Sequence, residues 1–170
     1  MVIVFGFFST MTGCSGQKLP NGMPKLYPCQ LTITMDGSSL SEASVSLIPA
    51  EGNNNTYTAG GTTDQNGNVT IMVNGQFIGA PLGKYHVLVV KTLVQYKPGF
   101  EPENIKITPS GDESQDRKTR LYAAQDYATN VDLVAPVFGS VKTTPLIVEI
   151  VAGKNAFKQE VKSASSPNQG

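Results

Sequence analysis

Short runs of alternating apolar and polar residues recur along this chain, and each run predicts a half-buried strand. Asp, Asn, Gly and Pro cluster between the runs, as is typical of turns. The alternating runs are 30–35, 43–49, 57–63, 68–73, 84–92, 146–150 and 157–161. About seven short strands separated by such turns predict an all-β fold, a two-sheet antiparallel sandwich of the immunoglobulin-like kind.

The run 84–92 is the strongest of these predicted strands. Its odd-numbered residues, from Tyr85 to Val89, are predicted to face the core. The opposite face carries Leu88 and Val90 and is also apolar. We therefore predict that this strand is central in its sheet or covered by another segment. In the loop 74–83 before it, Phe77 and Ile78 are predicted to tuck under the loop and plug one end of the sandwich.

Residues 60–73 predict a tight hairpin turn between two strands, centred on Asp64-Gln65-Asn66-Gly67. Asp and Asn favour turns because they bond their own backbone, and Gly67 can adopt a positive φ. The oxygen-bearing side chains Asp64, Asn66 and Asn68 also suit calcium. Gly67 falls one place too early for an EF-hand loop, however, and no acidic residue follows at a suitable spacing. The turn is the preferred interpretation.

Between residues 93 and 144 the alternation is lost, which predicts a partly helical or irregular insert. Residues 113–128 are polar enough for a surface helix, with Asp112 or Ser114 near its start. The segment 134–144 is predicted to be irregular.

Four residues of this insert suggest a carbohydrate-binding platform, since sugars stack on aromatic faces. They are Tyr122, Gln125, Asp126 and Tyr127. Alternatively, the two tyrosines dock the insert onto the sandwich. Their amphipathic spacing favours docking.

Composition narrows the functional classes. The 170 residues suit one domain with a substantial core, and 13 basic residues balance 13 acidic ones. Because no basic run or net positive charge is present, we expect no nucleic-acid partner.

The first thirteen residues are apolar and then small, and they are too few for a transmembrane helix, which needs roughly twenty. They fit the apolar region of an export signal. Residues 11–14, Met-Thr-Gly-Cys, closely resemble a bacterial lipobox. That resemblance implies a signal peptide over 1–13, cleavage before Cys14 and lipidation of its sulfur. The alternative is a buried N-terminal strand with an incidental cysteine. Residues 14–28 are predicted to be a flexible tether and 163–170 a disordered tail.

Neither reactive side chain outside this region predicts catalysis. Cys29 stands where a strand begins and is interpreted as a small core residue. His86 is the only histidine, and no nucleophile signature accompanies it. We therefore expect no catalytic residues, no metal and no cofactor.

Several of these segments resemble the carboxypeptidase regulatory-like, or transthyretin-like, β-sandwich domain. The matching segments are 31–37, 43–49, 61–67 and 79–89, and 137–146 and 152–157 are similar to the C-terminal part of small bacterial lipoproteins of this type. The resemblance covers most of residues 29–162. It implies a transthyretin-like fold and specifies no activity, because its motifs consist of turn and core residues.

Together these patterns predict a non-enzymatic, exported envelope lipoprotein that serves as a structural or binding module. Its membrane partner would be reached through lipidated Cys14, at the outer membrane or cell surface. The alternative is a glycan- or peptide-binding accessory protein that uses the 74–83 loop or the 93–144 insert.

Overall fold

A computed structural model of the protein describes residues 18–164. The predicted signal 1–13, the lipidation residue Cys14 and residues 165–170 of the predicted tail lie outside this range. Residues 18–164 form an all-β sandwich, which confirms the predicted fold class. The twelve strands are β1 (Cys29–Met35), β2 (Ser38–Ser39), β3 (Ser44–Pro49), β4 (Ala59–Thr62), β5 (Asn68–Thr70), β6 (Met72–Val73), β7 (Phe77–Ile78), β8 (Gly83–Val90), β9 (Thr92–Tyr96), β10 (Ala128–Asp132), β11 (Ile147–Ile150) and β12 (Asn155–Val161). The helices are α1 (Glu113–Ala123) and short 3-10 turns at Pro102–Asn104, Gln125–Tyr127 and Pro136–Gly139.

Two sheets form the sandwich. The first has the order β12-β1-β2, with β5 also paired to β1, and the second has the order β11-β8-β3-β4-β6-β7. The pairing of β1 with β12 is parallel, from Cys29 opposite Asn155 to Met35 opposite Val161. The sequence predicted antiparallel pairing throughout, and the other pairs in the two sheets are antiparallel. The chain thus returns its last strand to the side of its first.

The core lies between the inner faces of the two sheets and follows the predicted alternation. Tyr85, Val87 and Val89 are at most 1% exposed, and β8 pairs with both β3 and β11, so its predicted central position is confirmed. Each fully buried Val or Leu side chain contributes about 1.5–3 kcal/mol. The other large side chains that are fully buried are Leu31, Ile33, Val45, Leu47, Val69, Ile71, Val73, Ile150 and Val161.

The predicted turn at 64–67 is present, but the strand after it does not simply form a hairpin with β4. The run 68–73 divides at Ile71: β5 pairs with β1 in the first sheet, and β6 pairs with β4 in the second. The Ile71 N–H donates to the Cys29 carbonyl at 3.0 Å, which holds the crossing point. Strands that bend from one sheet to the other form the corners of many sandwiches.

The predicted tether is docked over its last residues. Met23, Leu26 and Tyr27 pack against the core, because their apolar side chains can be buried there. The backbones of Tyr27 and Ala80 exchange two hydrogen bonds, of 2.9 and 3.0 Å. At the other terminus, Ser163 bridges to Val134. Met23, Leu26, Tyr27 and Ser163 are therefore attached to the sandwich, although the sequence predicted a flexible tether over 14–28 and a disordered tail over 163–170.

The prediction for Ile78 was wrong. Its side chain is 51% exposed, whereas Phe77 packs against the core. Both residues lie in β7, an edge strand, and successive side chains of a strand point to opposite faces.

The insert is more regular and shorter than predicted. β9 and β10 form an antiparallel ribbon, with Thr92 opposite Asp132 and Tyr96 opposite Ala128. Helix α1 ends at Ala123, five residues before the predicted end. Of the two residues predicted near its start, Asp112 and Ser114, it is Asp112 that caps the helix: its Oδ1 accepts the N–H groups of the second and third helical residues at 2.9 and 3.2 Å.

Residues 134–144, predicted as an irregular part of the insert, belong to the sandwich. Val134, Phe138 and Thr144 are buried, and the Thr144 hydroxyl donates to the Val87 carbonyl at 2.9 Å. The 3-10 turn that contains Phe138 also contacts β8, which is distant in sequence, and Val134 bridges to Ser163. Within residues 18–164, no helix is long and apolar enough to span a membrane.

Candidate functional site

A cleft of about 510 Å³ opens where three loops meet beside the ends of β3 and β8. The first wall is the segment 24–27 before β1, the second is the loop 53–57 after β3, and the third is formed by Pro81 and Leu82 before β8. These walls are far apart in sequence, so only the fold brings them together.

The loop 53–57 is held in place by two of its three consecutive asparagines. Asn53 accepts the Asn55 N–H at 3.1 Å and donates to the Lys84 carbonyl at 2.9 Å. Asn55 accepts the Tyr57 N–H at 3.1 Å and donates to the Tyr85 hydroxyl at 2.8 Å. Asx turns of this kind stabilise irregular backbone, and here they also tie the loop to β8.

Tyr85 connects two walls of the cleft. Its ring belongs to the core, while its hydroxyl accepts from Asn55 and donates to the Pro81 carbonyl at 2.9 Å. The sequence predicted only the core role of this residue. A buried tyrosine hydroxyl needs a partner, and here its partners set the distance between the loops.

The third contact is between the segment 24–27 and the loop before β8. Gly79 has a φ of +105°, and a Cβ there would lie 2.5 Å from the Tyr27 carbonyl oxygen. Only glycine permits this close approach, which the two Tyr27–Ala80 backbone bonds then secure.

Other groups are left for a ligand. Lys25, Asn54 and Thr56 are exposed, and Tyr27 and Tyr57 are half-buried. The Asn54 side chain forms no hydrogen bond with any described residue, unlike its two neighbours. Pro24, Pro81 and Leu82 add apolar surface. The cleft therefore combines aromatic, amide, hydroxyl and ammonium groups with apolar surface, the usual make-up of a small-molecule site.

A larger groove, of about 720 Å³, crosses the outer face of the second sheet along β3, β4 and β6. Its lining includes Ser44, Ser46, Gly60 and Thr62, and none of its lining residues is charged or aromatic. We favour the smaller cleft as the functional site, because its side chains can orient a ligand and those of the groove offer little for specificity.

The side-chain oxygens of Asp64 and Asn68, which the sequence suggests as calcium ligands, accept hydrogen bonds from the protein instead. Asp64 Oδ1 accepts the N–H groups of Asn66 and Asn68, both at 2.8 Å, and Asn68 Oδ1 accepts the Thr32 hydroxyl at 2.8 Å. Gly67 adopts a φ of +77°. These contacts confirm the turn interpretation. No three His, Cys, Asp or Glu side chains in residues 18–164 are grouped to hold a metal ion.

The fold places Cys29 and His86 apart. Cys29 is 3% exposed in the core, as predicted, and burial raises the pKa of its thiol to about 12, so the thiol stays protonated at neutral pH. His86 lies on the outer face of β8, paired with Ile48 and Ile147 of the neighbouring strands. Its Nδ1 is buried without a hydrogen-bond partner in the described chain.

The aromatic residues of the insert contact one another rather than the sandwich. Tyr127 stacks on Phe100, with ring centroids 4.4 Å apart, and Tyr96 lies 5.7 Å from Phe100. Tyr122 is 72% exposed. The interpretation that Tyr122 and Tyr127 dock the insert onto the sandwich was therefore wrong. The alternative platform with Gln125 and Asp126 stays a prediction.

No protein family, curated protein or solved structure matches this chain. The transthyretin-like resemblance therefore stays a prediction, as does lipidation of Cys14.

Sequence reasoning located only part of the cleft. Pro81 and Leu82 lie within the predicted 74–83 binding loop. Residues 24–27 fall in the predicted tether, residues 53–56 lie between two predicted strands, and Tyr57 begins the predicted strand 57–63. The one local signal was the run Asn53-Asn54-Asn55 followed by Tyr57.

Proposed function

We propose that this protein is a non-enzymatic, lipid-anchored envelope protein that binds carbohydrate in the cleft formed by residues 24–27, 53–57 and 81–82. The cleft's combination of tyrosines with unpaired amide and hydroxyl groups carries the proposal. Sugars present hydroxyls for such polar groups and apolar ring faces for aromatic and aliphatic side chains. The transthyretin-like fold is the scaffold we propose for it.

The proposed anchor and the cleft are close along the chain. Pro24 follows Cys14 by ten residues, which span at most roughly 35 Å when fully extended. If Cys14 carries lipid, the cleft remains within this distance of the membrane surface. A glycan of the envelope is therefore within reach.

The proposal is tested by screening the full-length protein in detergent micelles against an array of oligosaccharides and an array of peptides. Binding of a saccharide is expected to weaken about fivefold in Asn54→Ala, because one hydrogen bond contributes about 1 kcal/mol. Asn54 is exposed and unbonded, so its folding role is small.

Tyr122→Ala is the matched control in the insert. Unchanged saccharide binding in this variant supports the cleft as the binding site. If binding is lost in Tyr122→Ala and kept in Asn54→Ala, the binding site is the insert platform. Binding to peptides and to no saccharide would refute the carbohydrate proposal.

A further inference from the structure

We infer that the saccharide bound in this cleft carries a carboxylate, and that Lys25 recognises it. This inference rests on the carbohydrate-binding function proposed above and specifies its ligand class. Among residues 18–164, the cleft is lined by one charged side chain, Lys25, and by no acidic residue. The chain as a whole has a formal net charge of zero, so this local positive charge is not the background of a basic protein.

Lys25 is available to a ligand. Its side chain forms no salt bridge within residues 18–164, where the ion pairs are those of Lys162 with Asp36 and Glu160. The Lys25 Nζ lies 5.2 Å from the centroid of the Tyr27 ring. A cation–π contact of this kind holds the ammonium at the cleft without neutralising its charge.

The residue beneath the Lys25 ammonium, Tyr27, is attached to the sandwich. Tyr27 is fixed by its two backbone hydrogen bonds to Ala80 and by packing against the core. An ammonium positioned by such a segment is partly preorganised, which reduces the ordering cost when an anion binds.

The remaining polar groups of the cleft can bind the hydroxyl groups that every saccharide carries. The Asn54 amide and the Thr56 hydroxyl suit sugar hydroxyls, whether or not the sugar is charged. Lys25 is the residue that distinguishes an acidic sugar from a neutral one. Because Lys25 is exposed, we expect a preference of roughly two- to fivefold for the acidic form at low salt.

The test uses the full-length protein in detergent micelles and matched probes. Oligosaccharides of glucuronate, galacturonate and mannuronate are titrated beside their methyl esters, which keep the sugar and remove the charge. We expect the acids to bind more tightly than the esters, and added salt to reduce the difference. Lys25→Gln is expected to abolish it, since its amide carries no charge.

Lys118→Gln, in the exposed helix α1, makes the same change in net charge away from the cleft and should keep the preference. Equal binding of acids and esters, or a preference that survives Lys25→Gln, overturns the inference and leaves the carbohydrate function standing. Binding of no saccharide in the wider array overturns both. Thermal melting of each variant separates these outcomes from loss of the fold.

Discussion

Asn53, Asn54 and Asn55 are identical in sequence and differ in what they contact. The outer two bond the backbone of their own loop and the strand β8, whereas Asn54 is exposed between them. A residue type therefore predicts an Asx turn, but its neighbours in space decide whether the side chain supports the loop or faces a ligand.

Gly67 offers a residue-scale prediction about the turn at 64–67. With a φ of +77° and a built Cβ only 2.4 Å from the Ile33 carbonyl oxygen, Gly67→Ala combines backbone strain with a clash. We expect it to lower the free energy of unfolding by more than about 2 kcal/mol, and Gly67→Val by at least as much. Urea unfolding measures both.

Gly37→Ala is the control for this prediction. Gly37 also has a positive φ, +84°, but no atom lies within 4 Å of its built Cβ. Strain alone should cost about 1–2 kcal/mol there. Equal stability of Gly67→Ala and Gly37→Ala would contradict the close contact between Gly67 and β1.

At the scale of elements, some strands change sheets or leave the sandwich at points that the alternation of apolar and polar residues does not predict. The run 68–73 reads as one strand but divides between two sheets at Ile71. β9 and β10 read as irregular but form a ribbon, because each supplies the hydrogen-bond partners of the other. Pairing partners distant in sequence decided both outcomes.

The outer part of the insert is predicted to be independent of the sandwich. No residue of α1 is buried, and the stacked aromatic rings lie within the insert. Replacing residues 97–127 by Asn-Gly would join Tyr96 to Ala128, which already face each other in the ribbon. We expect the urea midpoint of the sandwich and saccharide binding in the cleft to be unchanged. A lower midpoint would reveal packing between insert and sandwich, and lost binding would place the ligand on the insert.

On the scale of the whole molecule, the N-terminal segment joins the proposed anchor to the cleft. Residues 24–27 line the cleft and dock on the core, and Cys14 precedes them by a short stretch. Lipidation of Cys14, as proposed, would therefore hold the cleft near the membrane rather than far above it.

Anchoring by Cys14 predicts how variants distribute in cell fractions. Cys14→Ala is expected to move the exported protein from the membrane to the soluble fraction, because a lipidated cysteine is the proposed attachment. Cys29→Ala is the matched control, since the buried Cys29 thiol is closed to modification, and should remain with the membrane. Membrane retention of Cys14→Ala would contradict the anchor.

The sequence alone determined the features that depend on near neighbours along the chain. Alternation with a period of two identified the inner faces of the main strands, from Leu31 to Val161, because successive side chains of a strand point to opposite sides. The tendency of Asp side chains to bond nearby backbone N–H groups likewise identified the turn at Asp64 and narrowed the start of the helix to Asp112 or Ser114, of which Asp112 is the cap.

Only the tertiary structure decided the parallel pairing of β1 with β12, the ribbon and the candidate cleft. Each depends on contacts between residues far apart in sequence, such as Tyr27 with Ala80 and Asn55 with Tyr85. A local pattern does not specify such a partner, because many segments offer the same backbone donors and acceptors. The partner is selected when the common core is buried, and that selection brings Lys25, Asn54 and Pro81 to one site.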